Sequence, residues 1–273
     1  MLRQAIIPLA GLGTRLLPLS SITPKELLPI NGKSNLEHIL DECIEAGIKE
    51  FIFIISKKKI SIKKYFFNDL FYKSILSKKK DKRIKQYFQK LKKYQKMIKF
   101  VYQNKPNGTG AAILKTRNLI KGSHFLMLFP DDLIIKKNCS KEMIALHRKT
   151  KANIIATKTV DKKTVSRWGI LDMKKKKKNY FEIKDVIEKP SIKKAPSNFA
   201  IIGRYILPKT IMKKLQKLKP GKGGEIHITD AIKQLIEDGE KFYGNIFQGK
   251  YLDCGTLSGY INSTIEISKE NKK

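Results

Sequence analysis

Cysteine is scarce in this 273-residue chain: Cys43, Cys139 and Cys254 lie far apart and form no Cys-x-x-Cys pair. Their scarcity argues against a disulfide framework and gives no support to a zinc site, so a reducing compartment is expected. Arginine is nearly as rare, occurring only at 3, 15, 83, 117, 148, 167 and 204, and 24 Asp plus Glu stand against 58 Lys plus Arg. The formal charge of +34 is therefore almost all lysine. A lysine excess accompanied by abundant Ile, Asn, Phe and Tyr is what an AT-rich genome over-encodes. The shortage of Arg, the better bidentate reader of phosphates and base edges, weighs against a nucleic-acid surface. Apolar runs of membrane-spanning length are missing too. The stretch Ala5–Leu12 is soon followed by Arg15 and by no small-residue cleavage site, so it does not read as a signal peptide. The expectation is a soluble, cytoplasmic protein that binds neither nucleic acid specifically nor membrane. The rival from another class, a basic nucleic-acid-binding protein, would show binding that falls steeply with salt.

At 41% hydrophobic residues the chain can form a real core. Short apolar, β-branched runs alternate with helix-period segments, which predicts an α/β fold: a doubly wound, mostly parallel, Rossmann-like sheet. Strands are predicted at Gln4–Leu9, Phe51–Ile55, Phe100–Gln103, Phe125–Phe129 and Asn153–Val160. Helices are predicted at Asn35–Ala46, with Asn35 as N-cap and Gly47 as the glycine just past its end, at Gly108–Leu119 and at Lys141–Thr150. Residues 68–96 read as a helical insertion beside the sheet. This nucleotide-binding part spans 1–160. A smaller β-rich part of the same domain, 161–255, carries strands Trp168–Met173, Phe181–Ile187 and Phe199–Leu207, with helices at Lys209–Leu218 and Thr229–Asp238 and a strand at Phe242–Phe247. Residues 256–273 form a C-terminal helix. The lysine run Lys174–Lys178 reads as a solvated hairpin tip.

Gly11-Leu12-Gly13-Thr14-Arg15 follows the first strand directly, and Lys25 lies ten residues beyond Arg15. Glycines at the C-terminal end of such a strand let backbone amides approach phosphate oxygens, and Arg15 and Lys25 add cations. The motif is not the dinucleotide fingerprint, because Leu16 stands where Gly or Ala is wanted. Gly32-Lys33-Ser34 is not a P-loop, since position 27 is Leu. Pro130-Asp131-Asp132 and Asp253-Cys254-Gly255 offer carboxylates at strand ends, a donor type suited to Mg²⁺ whose other ligands are phosphates. Gly108-Thr109-Gly110 opens a helix after Gln103, whose amide suits a base edge. Taken singly, each element also fits an ordinary turn or an exposed acid.

Together they occur in one order with Pro24-Lys25-Glu26-Leu27-Leu28-Pro29, Arg167-Trp168-Gly169, Glu188-Lys189-Pro190, Pro196-Ser197-Asn198, Gly203-Arg204-Tyr205, the run from Gly224 to Ala231, and Gly259-Tyr260. This set closely resembles the bacterial UTP–glucose-1-phosphate uridylyltransferases of the sugar-phosphate nucleotidyltransferase family, over nearly the whole chain. The resemblance implies formation of UDP-glucose and pyrophosphate from UTP and glucose 1-phosphate, with Mg²⁺ as cofactor. It further implies that Arg15, Lys25 and Lys189 are catalytic, and that Leu9, Ala10, Gly11, Gly13, Gln103 and Gly108 bind nucleotide. Gly169, Glu188 and Lys189 would bind the sugar phosphate, and Asp131 and Asp253 the metal. A homo-oligomer is expected. A sister transferase using dTTP or another sugar 1-phosphate is the near alternative. Two departures bear on fine affinity and oligomer contacts: Gly-Thr-Gly-Ala-Ala, with Ala111, replaces the family's Gly-Leu-Gly-His-Ala, and Leu257 replaces a lysine.

Overall fold

Nearly every side chain of Gln4–Pro8 and Glu50–Ile55 is buried, as a sheet covered on both faces requires. A computed structural model describes residues 2–270; residues 271–273, the end of the expected C-terminal helix, lie outside the described residues. In chain order the elements are β1 (Gln4–Pro8), β2 (Pro29–Ile30), β3 (Lys33–Ser34), α1 (Asn35–Glu45), β4 (Glu50–Ile55), α2 (Ile60–Phe67), α3 (Asp69–Lys78), α4 (Lys82–Gln95) and β5 (Ile98–Tyr102). There follow α5 (Thr109–Leu114), β6 (His124–Leu128), β7 (Asp132–Ile135), α6 (Cys139–Thr150), β8 (Asn153–Thr159), β9 (Gly169–Lys176) and β10 (Tyr180–Glu188). The chain continues with β11 (Phe199–Pro208), α7 (Ile211–Lys217), α8 (Ile228–Glu237), β12 (Phe242–Ile246), β13 (Lys250–Asp253) and α9 (Leu257–Glu270). Among the described residues no helix is long and apolar enough to cross a membrane.

One nine-stranded sheet, in the order β5-β4-β1-β6-β11-β8-β12-β10-β9, takes strands from both halves of the chain. The period-two alternation of each strand sorts its side chains between two cores. Ala5, Ile7, Phe51 and Phe53 face Leu36, Ile39 and Leu40 of α1 and Met143 of α6. Ile6, Ile52, Ile54 and Met127 face Ile113 of α5, Leu215 of α7 and Ile232 of α8.

The sheet is parallel only in part. Strands β5, β4, β1 and β6 run parallel, and β12 is parallel to β8. β11 lies antiparallel between β6 and β8, and β10 is antiparallel to both β12 and β9. Strand period alone does not encode direction, so this mixture lies beyond the sequence pattern. The predicted helix at Gly108–Leu119 ends at Leu114; beyond it the chain turns, with Thr116 Oγ1 donating to Ile113 O at 2.7 Å. The lysine run is only partly a tip, because Lys174–Lys176 extend β9. Two short pairings, β2 with β3 and β7 with β13, fall in segments too brief to show periodicity.

Asn35 is not the N-cap of α1. Ser34 is: its Oγ accepts from Glu37 N at 3.3 Å while Glu37 Oε2 accepts from Ser34 N at 3.1 Å, a reciprocal capping box. Gly47 follows the helix with φ of 94°, the left-handed conformation glycine adopts without strain. The same Glu37 carboxylate accepts from Tyr65 Oη at 2.6 Å and Tyr87 Oη at 3.2 Å, and Asp41 accepts from Tyr94 Oη at 2.6 Å. These bonds tie α2 and, within the inserted 68–96 segment, α4 to α1. Ser34→Ala should therefore lower unfolding stability by about 1 kcal/mol in a urea titration, and Ser34→Thr should retain most of it.

Candidate active site

The turn after β1 is shaped by Gly13, which sits at φ 72° and has Ser20 Cβ 3.3 Å from where a Cβ would lie. Ser20 Oγ donates to Gly13 O at 2.8 Å and closes the loop. The turn delivers Arg15, and the next short turn, Lys25–Leu27, delivers Lys25. Glu26, next to it, is fully buried, and Lys59 Nζ donates to both its oxygens at 2.7 and 2.8 Å. Burial pushes the Glu26 carboxyl up and the Lys59 ammonium down, and each partner opposes the shift of the other. The pair fastens the Lys25 segment to the root of α2.

Lys25 Nζ lies 2.5 Å from Asp131 Oδ2, and Arg15 Nη2 lies 3.7 Å from the same oxygen. Burial works against both charges of the Lys25–Asp131 pair, but the mutual attraction outweighs it, raising the Lys25 pKa and lowering that of Asp131. Behind it, Asp132 accepts from Tyr251 Oη at 2.6 Å and from Gly203 N at 3.1 Å. Burial, and then the charge of Asp131, push the Asp132 carboxyl up to about 6.

Asp253 comes from far along the chain. In the β13–β7 pairing Asp253 stands opposite Asp132, and Cys254 N donates to Asp131 O at 2.7 Å. Gly255 N holds Asp253 Oδ1 at 2.7 Å. A single point, the position of a Cβ at Gly255, would lie 2.8 Å from Asp131 Oδ2, 3.0 Å from Arg15 Nη2 and 3.1 Å from Asp253 Oδ1. Asp131 and Asp253 thus converge, and Gly255 leaves the space between them open. Two hard carboxylates, that of Asp253 oriented by the Gly255 amide and that of Asp131 paired with Lys25, fit a Mg²⁺ ion that takes its remaining ligands from water and phosphates. Among the described residues no group of three or more His, Cys, Asp or Glu forms a complete metal cage.

Gln103 lies one residue past β5. Its Nε2 donates to Asn107 Oδ1 at 3.0 Å and Gly108 O at 3.2 Å, so it braces the loop that follows. A Cβ at Gly108 would lie 2.5 Å from Ile226 O, and Gly110 N donates to that oxygen at 2.8 Å. Ile226 N in turn donates to Asn107 O at 3.0 Å. The glycines at 108 and 110 therefore admit a crossing backbone, and the Gly110 amide is engaged by it.

On the opposite flank, Glu188 ends β10. Thr229 Oγ1 donates to Glu188 Oε2 at 3.1 Å, and Lys189 Nζ lies 3.5 Å from Glu188 Oε1. Lys189 adopts a φ of 44°, unusual for a non-glycine residue, and its N–H donates to Trp168 O at 3.0 Å. A Cβ at Gly169 would press on Ile201 Cδ1 at 3.0 Å and Glu188 Oε2 at 3.3 Å.

These pieces border one cavity of about 460 Å³, a size suited to a nucleotide-scale ligand. Ala10, Gly11, Arg15 and Lys25 line it together with Gln103 and Gly108; so do Asp131 and Asp253, and so do Gly169, Glu188 and Lys189. Leu9 and Gly13 do not: Leu9 is buried in the core and Gly13 shapes the turn from behind. Residues without an expected role also border it, among them Glu26, Asp132, Glu225, His227, Thr229 and Tyr251. Glu26, Asp132, Glu225, His227 and Thr229 lay inside quoted motifs, but no local signal says which way each side chain faces. Ala111 is buried in α5, and Leu257 opens α9 about half exposed.

The profile of the Nucleotidyl transferase family matches residues 4–74 and 68–270. The UTP–glucose-1-phosphate uridylyltransferase of Bacillus subtilis is 34% identical, covering 99% of this chain and 92% of its own. The enzyme of the same name from Mycoplasma pneumoniae is 34% identical, covering 97% and 91%. A crystal structure of UDP-glucose pyrophosphorylase complexed with UDP-glucose superposes with a TM-score of 0.86 at 33% identity, covering 99% of this chain and all of that one. A UTP-bound enzyme from Acinetobacter baumannii gives 0.84 at 29% identity, covering 99% and 94%. With the family profile spanning almost every residue and the relatives matched along nearly their whole length, the chain belongs to the nucleotidyl transferase family.

Proposed function

We propose that this enzyme forms UDP-glucose and pyrophosphate from UTP and glucose 1-phosphate in a Mg²⁺-dependent reaction. The observation that carries the reading is the convergence of Asp131, Asp253, Arg15 and Lys25 in a cavity also bordered by Gly11, Gln103, Glu188 and Lys189. The relatives of full length that carry this activity in their names support the choice of substrates.

In this reading Ala10 and Gly11 let the backbone close on the nucleotide, while Gln103 and Gly108 border the uracil. Arg15 and Lys25 neutralise the triphosphate. Gly169 and Glu188 meet the sugar hydroxyls, and Lys189 meets the sugar phosphate. Held by Asp131 and Asp253, Mg²⁺ would supply Lewis-acid neutralisation of phosphate oxygens. A glucose 1-phosphate oxygen attacks the α-phosphorus in line; the new O–P bond forms as the bond to the β-phosphate oxygen breaks, and pyrophosphate leaves with the electron pair. The nucleophile is already an anion, so the chain needs no general base and forms no covalent intermediate. Positioning and charge neutralisation do the catalysis.

A sister reaction with dTTP or another sugar 1-phosphate would use the same carboxylates and cations. Pyrophosphate release measured over four nucleoside triphosphates and several sugar 1-phosphates decides between them; the expected result is a clear preference for UTP with glucose 1-phosphate, and a preference for dTTP would overturn the choice.

Asp131→Asn and Asp253→Asn each keep side-chain volume but remove the charge that holds the cation. Each should cut turnover by at least about a hundredfold, the scale of one strong transition-state contact, with the circular dichroism spectrum unchanged. By contrast, Lys174–Lys178 are all exposed and lie outside the cavity wall. Replacing the run with Gln should leave turnover within a small factor, because exposed charges beyond about 8–10 Å are screened at physiological salt.

A further inference from the structure

Arg204 is a fully buried side chain in β11, yet it lines no part of the cavity. A buried guanidinium requires a partner for its charge and an acceptor for each of its five N–H groups. Here all five are placed. Nε and Nη2 donate to the Glu42 carboxylate of α1 at 3.3 and 3.0 Å. Nη2 also donates to Asp132 O at 2.5 Å, and Nη1 donates to Phe129 O at 3.2 Å and Gly203 O at 3.1 Å. Glu42 is anchored in turn by Ser140, whose N and Oγ donate to its Oε1 at 3.2 and 2.5 Å.

Two of those carbonyls, Phe129 O and Asp132 O, are the two ends of the turn Phe129-Pro130-Asp131-Asp132. The turn closes itself weakly: Asp132 N reaches Phe129 O only at 3.4 Å, and Pro130 has no N–H to contribute. One rigid, planar fork therefore grips both ends of the loop whose middle carries Asp131. A lysine ammonium, with three donors on one point, cannot span these acceptors.

We propose that Arg204 is a positioning residue for the metal: by holding the carbonyls on either side of Asp131 it sets where that carboxylate points, without touching metal or substrate itself. The proposal rests on the assignment of Asp131 as a metal ligand. A purely structural role would instead lower stability and leave metal affinity alone.

The test is a Mn²⁺ titration of the full-length protein with saturating UTP, read by the electron paramagnetic resonance signal of free Mn²⁺. Arg204→Lys should weaken Mn²⁺ binding by about ten- to a hundredfold, the usual effect of removing an outer-shell support. Binding of UTP in EDTA, measured by calorimetry, should stay at the wild-type value. Because a lone substitution in a buried ion pair can unfold a protein, the double variant Arg204→Met with Glu42→Met removes both charges at similar volume; natively folded, it should show the same loss. Wild-type Mn²⁺ affinity in either folded variant overturns the proposal. Asp131→Asn separates the two levels of the argument: if it too binds Mn²⁺ like the wild type, the metal assignment fails and the positioning role falls with it.

Discussion

Three half-buried carboxylates, Asp131, Asp132 and Asp253, are gathered at one end of the cavity, and like charges so placed repel one another. Much of the surrounding structure answers that repulsion. Lys25 pairs with Asp131 and Arg15 stands beside it. Tyr251 and the amide of Gly203 take up Asp132. Lys158 lies over the Tyr251 ring at 4.3 Å; burial lowers its pKa, and the charges of Asp132 and Asp253 oppose that shift. The concentrated negative charge that would attract a divalent cation is also what obliges the fold to keep cations within reach.

The sheet brings these groups together by its direction as much as by its order. β1 and β6 run parallel side by side, so Gly11 and Asp131 emerge at the same edge, where open α/β sheets bind ligands. β11 then returns antiparallel beside β6 and lays Gly203 and Arg204 beneath the loop that β6 releases. The two-strand pairing of β13 with β7 brings Asp253 across the chain to face Asp132. Helix α1, capped by Ser34, ties the two ends of the arrangement: Glu37 reaches α2 and α4 and Glu42 reaches Arg204.

A good part of this was legible in the residues. The buried runs of β1, β4, β6 and β8, the apolar face of α1 and its closing Gly47 are short-range patterns, and they appear near their expected places. The turn glycines were visible, but the reasons for them differ. Gly13 bends the loop after β1, and Gly108 and Gly110 make room for the backbone of Ile226. The capping role fell to Ser34 rather than its neighbour Asn35, a choice between adjacent residues of similar propensity that only the reciprocal bond with Glu37 settles. Glu26 and Lys59 gave no separate signal, since an acid and a lysine 33 positions apart predict nothing about burial together.

The amino-acid sequence by itself determined the α/β class, the main helices and strands of the sheet, the supply of phosphate-seeking cations and hard carboxylates, and through their ordered motifs the family. These depend on periodicity and turn chemistry, which act over a few neighbouring residues. Only the tertiary structure decided that β11 enters antiparallel, by which strand pairing Asp253 reaches Asp131, that Leu9 and Gly13 lie outside the cavity wall, and that Arg204 clamps the turn from Phe129 to Asp132. Each of those outcomes depends on groups brought together from distant parts of the chain, and the forces that select them, burial of charge and satisfaction of every buried donor, act only once the sheet has closed around them.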